Sequence, residues 1–441
     1  MLVGRDPRAG GAIFLEFFLG GILAAGVLEP KLFDASKFVE VDEISGKNVG
    51  LASTSLLYFV GQNDWDLSVA LTASHNPAEF VGAKFFDRGV TLLESAELRE
   101  IFREVWEKWE NSGEEIRGVP GNSRADLVAA ETGEKALKYL DFLAEKFGDL
   151  TGEHKIVVDL AHGAATGFER KFLENLAEFH EIALLHAEPR GDFGGEKPEA
   201  SGLEDFEKVL GKMAETGARL GLKFDGDADR LGVVLQHGDG RAEFVAGDVL
   251  TGILGVELAR ESASRNEELL FLHDCMTTRA TSEEREKIGV KTAMTRVGRF
   301  FINRDLKKMG ADFAGELSGH FLWGELGGYE APLLALALLL RATEHSAGLA
   351  NLVRHRKSRE KTPLENFVVA EKEKMLEKIA GEFAEFAQSR MDGLRVEGED
   401  RRFIVRPSNT ENKLRFVAES KNPAKTAELA EKIRALVADE K

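Results

Sequence analysis

Residues 66–77 read DLSVALTASHNP. The first half alternates: Leu67, Val69 and Leu71 share one side of an extended chain, the period of a strand. The second half, Ala73-Ser74-His75-Asn76-Pro77, has no place in a strand, and its serine, asparagine and proline are turn residues. A buried strand therefore delivers a serine into a loop that a proline stiffens, and the rest of the chain must supply the reason.

Outward from that strand the order of elements is mixed. A charged helix follows around LREIFREVWEKWE, and residues 111–125 are rich in Gly, Ser, Asn and Pro, as a linker is. A helix over 134–147 leads to the strand of HKIVVDLAHGAATG, and ARLGLKFDGDADRLGVVLQHGDGR reads as two strands flanking an acidic loop, with a turn at Gly238-Asp239-Gly240. A third unit begins near Gly247 with a helix over 248–260 and the strand LLFLHD. The last unit, from about 362, holds a helix over 371–390, strands RRFIVRPS and KLRFVAES, and a final helix capped by Asn422 with Pro423 in its first position. Strands alternating with helices at this spacing predict α/β units built on sheets, and no tandem repeat is visible. The expected boundaries are 1–125, 126–246, 247–361 and 362–441.

The chain has 441 residues, 43% hydrophobic and 30% charged, an ordinary globular composition. Its net charge of −18 repels phosphate backbones, which argues against nucleic acid as a partner, and any anionic substrate must be captured by a local basic site. One cysteine, Cys275, excludes an internal disulfide and fits a reducing, cytoplasmic setting. The apolar run 12–28 carries Glu16, Gly20 and Gly21 and reads as a buried helix rather than a leader or a membrane span; 331–340 is too short to cross a bilayer and reads as a core helix.

Four loops carry chemistry. FDGDADR sets Asp225, Asp227 and Asp229 at alternate positions, on one face if the segment is extended. Three crowded carboxylates repel one another unless a cation neutralises them, and oxygen-only ligation suits Mg²⁺ or Ca²⁺. An EF-hand is excluded because its glycine and glutamate positions hold Arg230 and Gln236. Ser74 lacks a GxSxG setting, so acyl transfer is unsupported, but a serine phosphate beside a divalent ion is chemically poised for transfer. Taken alone, SHNP is also simply a good turn. AGELSGHF offers Glu316, Ser318 and His320 on alternate positions, suited to sugar hydroxyls, with His320 able to move a proton; a solvated glycine turn would look the same. VRPSNTENKLR places Arg406, Ser408, Asn409 and Thr410 at a strand end, with Lys413 and Arg415 following, an anion trap in an acidic chain.

In this order, TASHNP, DGDADR, GELSGH and RPSNTE resemble the α-D-phosphohexomutase superfamily, most closely bacterial and archaeal phosphomannomutase/phosphoglucomutase. VGRDPR, VVDLAHGAATG, TRVGRFFI and DGLRV extend the resemblance over nearly the whole chain. It implies three related α/β domains with mixed sheets around a central cleft and a smaller C-terminal α+β domain. It implies that Ser74 is carried as phosphoserine, that Asp225, Asp227 and Asp229 with the serine phosphate hold Mg²⁺, and that Lys84, Arg230 and His320 are acid/base groups. Glu316 and Ser318 match sugar-hydroxyl contacts, and Arg406, Ser408, Asn409 and Thr410 match the cradle for the phosphate that is not transferred, with Arg415 beside it. The implied reaction moves phosphate between C1 and C6 of mannose or glucose through glucose (or mannose) 1,6-bisphosphate, in a monomer or weak homodimer without nucleic-acid or membrane partners. Two alternatives stay open, a phosphoglucosamine mutase and a non-catalytic sugar-phosphate-binding protein or inactive truncated homologue. The sequence departs from the family in four places. The usual first strand with its RG signature is missing, Val81 replaces an Asn, Asn412 replaces a Pro, and LGGYEA replaces an Asp-rich stretch after the sugar loop.

Overall fold

The computed structural model describes residues 1–24, 31–32, 51–112, 131–148, 150–263, 268–345, 353, 359–408 and 412–438. The first unit holds β1 (Leu2–Arg5), α1 (Ala9–Ala24), β2 (Lys31–Leu32), α2 (Thr54–Gly61), β3 (Leu67–Leu71), β4 (Ala83–Asp87) and α3 (Ser95–Ser112). The second holds α4 (Glu131–Gly148), β5 (Lys155–Asp159), α5 (Phe168–Leu176), β6 (Glu181–Leu185), α6 (Glu207–Thr216), β7 (Leu220–Phe224), β8 (Leu231–Gln236) and β9 (Ala242–Val245). The third holds α7 (Gly247–Ala263), β10 (Leu270–Asp274), α8 (Arg279–Lys287), β11 (Lys291–Thr295), α9 (Arg299–Met309), β12 (Phe313–Gly315), β13 (Phe321–Trp323), β14 (Tyr329–Glu330) and α10 (Pro332–His345). The fourth holds β15 (Glu360–Lys361), β16 (Glu365–Val368), α11 (Lys372–Glu382), β17 (Ala387–Ser389), β18 (Leu394–Glu397), β19 (Arg401–Pro407), β20 (Lys413–Ser420) and α12 (Pro423–Ala438).

The first three sheets repeat one plan. Their orders are β2-β1-β3-β4, β6-β5-β7-β8-β9 and β11-β10-β12-β13-β14. In each, three parallel strands are followed by an antiparallel one: β3 pairs antiparallel with β4, β7 with β8, and β12 with β13. The fourth sheet is antiparallel throughout. The repeat is invisible in the sequence because it is carried by topology rather than by residue identity.

β3 illustrates the packing. Leu2, Ala70 and Phe86 join one apolar cluster while Val3, Val69, Leu71 and Phe85 join another, so both faces of the sheet are covered. The polar positions of the alternation therefore do not face water, and Ser68 is buried. The larger cluster runs through all three α/β units, from Tyr58 through Tyr139 and Phe168 to Trp323 and the α10 leucines, which is the burial expected for the run 331–340. The fourth unit has its own core around Met375, Leu394, Phe416 and Ile433, and a small seam of Cys275, Met276, Ile404 and Val417 joins it to the third.

Two expectations need correction. The helix expected over 371–390 ends at Glu382, and residues 387–389 form β17. The Gln388 side-chain amide donates to the carbonyls of Ala380 (2.8 Å) and Phe383 (2.9 Å), satisfying helix-end acceptors while Phe383 turns into the core. The acidic loop is curled rather than extended: Ala228 has φ 57°, and Asp225 Oδ1 accepts the amides of Asp229 (3.1 Å) and Arg230 (3.2 Å). Its carboxylates converge because the chain turns, not because strand residues alternate. The opening helix occupies Ala9–Ala24; residues 25–28 of the apolar run, and 113–125 of the expected linker, lie outside the described residues. No helix among the described residues is long and apolar enough to cross a membrane.

Candidate active site

The shared sheet plan explains how distant loops meet. Ser74 lies in the connection β3–β4, Asp225–Arg230 in β7–β8, and Glu316–His320 in β12–β13. These are the same connection in three units, each leaving the carboxyl end of a parallel strand, where α/β sheets place ligands.

The serine loop is built to hold one conformation. Ser74 has φ 52°, a left-handed backbone that costs a non-glycine residue energy and must be held by its surroundings. The Ser74 amide donates to Thr72 Oγ1 (2.8 Å), whose hydroxyl donates to Asp6 (2.6 Å). Arg8 bridges Asp6 (2.7 Å) and the carbonyls of Ser74 (2.8 Å) and Phe80 (2.7 Å). Asp6 and Arg8 are both buried, so the VGRDPR stretch serves as the clamp behind the serine.

The Ser74 hydroxyl donates to Asp225 Oδ2 (3.0 Å) and accepts from Arg230 Nη2 (3.1 Å). Asp225, Asp227 and Asp229 are buried, with one oxygen of each within 4.8 Å of the others. Lys84 bridges Asp227 and Asp229 (2.7 Å to the latter), and Arg299 pairs with Asp229 and, at 3.2 Å, with Glu330. Asp227 Oδ1 is buried and accepts no hydrogen bond, and Asp229 Oδ1 is met only by His320 Nε2 at 3.4 Å. A buried oxygen without a close donor is costly, so an all-carboxylate set holding these two atoms fits a hard divalent cation. Burial first, then Asp229 and Asp227, pushes Asp225 up from the usual carboxylate range. Burial acts against the charge of Asp229 too, but Lys84, Arg299 and His320 together outweigh it and hold that carboxyl well down.

The third loop closes over the same carboxylates. His320 Nε2 stands 3.4 Å from Asp229, and its Nδ1 2.9 Å from Glu316. Ser318 Oγ lies 2.7 Å from His320 Nδ1. Burial would neutralise His320, yet Asp229 and Glu316 raise it to about 9, so the imidazole is protonated at neutral pH. His75 goes the other way: burial and Arg230 bring it to about 4, leaving it neutral.

Ser74, Lys84, Arg230, Asp225, Asp227, Asp229, Glu316, Ser318 and His320 are thus brought together. Arg406, Ser408 and Arg415 lie on the fourth unit: Arg406 and Ser408 are buried, and Arg406 pairs across the ladder with Arg415. Asn409 and Thr410 fall outside the described residues. Several contributors were given no role from the sequence. Thr54 Oγ1 donates to Asp227 (2.5 Å) and Ser55 Oγ to Ala228 O (2.9 Å), so the start of α2 grips the acidic loop. Glu330, within the departing LGGYEA stretch, restores a buried carboxylate beside Arg299. Arg8 and Arg299 lie in VGRDPR and TRVGRFFI, two stretches that carry the family resemblance, whereas Thr54 lies in none of them.

This chain belongs to the phosphoglucomutase/phosphomannomutase family of the α-D-phosphohexomutase superfamily. Residues 37–111, 137–238 and 246–358 match the family's alpha/beta/alpha domains I, II and III, and 364–436 its C-terminal domain. It is 31% identical over 440 residues to the phosphomannomutase of Methanocaldococcus jannaschii, covering 99% of this chain and 90% of that protein. Its fold is similar to a phosphoglucomutase/phosphomannomutase family protein from Burkholderia thailandensis (TM-score 0.77, 24% identity, 100% of this chain and 89% of that one). It is also similar to an Aspergillus fumigatus N-acetylphosphoglucosamine mutase solved with GlcNAc-6P and magnesium (TM-score 0.62, 15% identity, 88% and 93%).

Proposed function

We propose that this chain moves a phosphoryl group reversibly between C1 and C6 of a hexose, mannose or glucose, using phosphoserine 74 as donor and acceptor. The observation that carries this reading is the Ser74 hydroxyl 3.0 Å from Asp225, inside three converging carboxylates. A hexose hydroxyl attacks the phosphorus of phosphoserine 74, the bond from phosphorus to Ser74 Oγ breaks, and the attacking oxygen loses its proton while Oγ gains one. The 1,6-bisphosphate so formed turns over, and its other phosphate returns to Ser74. Hexose 1,6-bisphosphate accordingly serves as intermediate and primer.

Arg230, donating to Ser74 Oγ, is placed to stabilise charge on the departing oxygen. His320, 3.4 Å from Asp229 and 2.9 Å from Glu316, acts as a proton donor or fixed cation, and Lys84 is the other acid/base group. Mg²⁺ held by Asp225, Asp227 and Asp229 with the serine phosphate would offset phosphate charge and polarise the ester. Glu316 and Ser318 meet sugar hydroxyls, and Arg406, Ser408, Asn409, Thr410 and Arg415 hold the distal phosphate. The four domains are assigned to 1–125, 126–246, 247–359 and 360–441, the last boundary moved from 361/362 because β15 pairs with β20 of the fourth sheet. The single cysteine suits a cytoplasmic enzyme.

Protein primed with glucose 1,6-bisphosphate and given Mg²⁺ is expected to convert glucose 1-phosphate to glucose 6-phosphate, and Ser74→Ala to abolish turnover. Failure of primed protein to convert the 1-phosphates of glucose, mannose or glucosamine overturns the reading. Comparing kcat/KM among the three decides between this reading and the phosphoglucosamine alternative, which a preference for glucosamine 1-phosphate would favour.

A further inference from the structure

Asp392, at the head of DGLRV, belongs to the fourth unit and is not among the groups described above. Its Oδ2 accepts from Arg406 Nε (3.0 Å) and from the backbone amide of Val297 in the third unit (3.0 Å), with Cys275 Sγ at 3.9 Å. Both members of the Asp392–Arg406 pair are buried. The next amide along, Gly298 N, donates to Glu316 Oε1 (3.0 Å), and the next residue, Arg299, pairs with Asp229 and Glu330. Gly298 has φ 118°, a conformation only glycine adopts readily, and it lets two successive amides serve two different carboxylates. A single short segment, 297–299, therefore joins the anion-binding arginine, the sugar loop and the acidic loop.

We propose that Asp392 is a positioning residue that couples the seating of Arg406 to the shape of the sugar loop through the Val297–Gly298 peptide. Spending Nε of Arg406 on Asp392 fixes the plane of the guanidinium and leaves its two terminal nitrogens to meet a phosphate bidentately. Holding Val297 holds Gly298 with it, and Gly298 in turn holds Glu316 and its partner His320. What this does to catalysis rests on the mutase reading above, whereas the coupling itself rests on the hydrogen bonds alone.

Two readouts keep those apart. Asp392→Ala is expected to raise KM for glucose 1-phosphate about tenfold or more, the loss typical of one charged hydrogen bond, with kcat changed less than about threefold. Hydrogen exchange should quicken in peptides covering 296–298 and 314–321 of the full-length protein. Asp392→Asn keeps an acceptor for Val297 and should restore slow exchange but only part of the KM. Asp392→Ala added to Arg406→Ala should cost little beyond Arg406→Ala alone, since both remove one unit. Unchanged exchange at 314–321 in Asp392→Ala, or losses that add in the double variant, overturns the proposal. If wild-type protein turns over no hexose phosphate, the functional reading fails while the exchange result still decides the coupling.

Discussion

Glu169 lies outside the candidate-site loops but at a joint between units. It is 2% exposed, accepts from Ser53 Oγ at 2.5 Å, and its other oxygen has no donor. Burial pushes its carboxyl up to about 7 from an ordinary value near 4.5. The folded protein therefore keeps a proton that the unfolded chain releases, so this site's stabilisation is full below about pH 4.5 and fades as pH rises through 7. At pH 8 the loss amounts to at most about 3 kcal/mol. Glu169→Gln should flatten the decline in melting temperature between pH 5 and 8; a decline as steep as wild type would show that Glu169 is not its source. Glu169 was illegible beforehand, whereas Ser74, Asp225 and His320 were not. The candidate-site groups sit in contiguous runs whose composition no ordinary strand or helix tolerates, but Glu169 acts singly, on a partner 116 positions away.

At the scale of elements, α2 does more than cover its sheet. Its first residues, Ser53-Thr54-Ser55, send three hydroxyls across to Glu169, Asp227 and Ala228, and the Thr54 amide donates to the Asp227 carbonyl at 2.9 Å. The helix start thereby orients Asp227 and leaves its Oδ1 for a cation. Outer-shell partners of metal ligands commonly carry about 10–100-fold in affinity. Thr54→Val should weaken Mg²⁺ binding, titrated calorimetrically, by about tenfold, and wild-type affinity in that variant would remove α2 from the site. Most strands and helices were readable from period and punctuation, as β3 and α12 show. α11 was misjudged because EFAEFAQSR keeps an apolar spacing compatible with either state, and a side-chain amide 8 residues from Ala380 ends the helix.

At the scale of the molecule, three sheets of one plan bring three equivalent loops to one place, and the seams between units decide how rigidly. Glu344 on α10 is such a seam. Its carboxylate collects His154 Nε2 (2.8 Å), the amides of Gly152 (2.8 Å) and Thr151 (3.1 Å), and Thr151 Oγ1 (3.0 Å), all from the second unit. Burial acts against its charge, but Gly152, His154 and Thr151 outweigh it and lower the carboxyl to about 2. The contribution is present above the ordinary glutamate range and is lost as pH falls towards 2. Glu344→Ala should lower the melting temperature by roughly 5 °C at pH 7 and by much less near pH 2, where the carboxylate is about half protonated and most of its stabilising effect is gone. An equal effect at both pH values would mean that the seam does not depend on charge.

The role of Ser74 as the phosphoryl carrier is tested most directly by mass spectrometry of the intact protein. After incubation with Mg²⁺ and glucose 1,6-bisphosphate carrying ¹⁸O in its phosphates, one labelled phosphoryl group should be found, mapped to Ser74, and unlabelled phosphoryl should replace it when unlabelled sugar monophosphate is chased through. A protein that acquires no phosphoryl group, or carries it on another residue, contradicts the account.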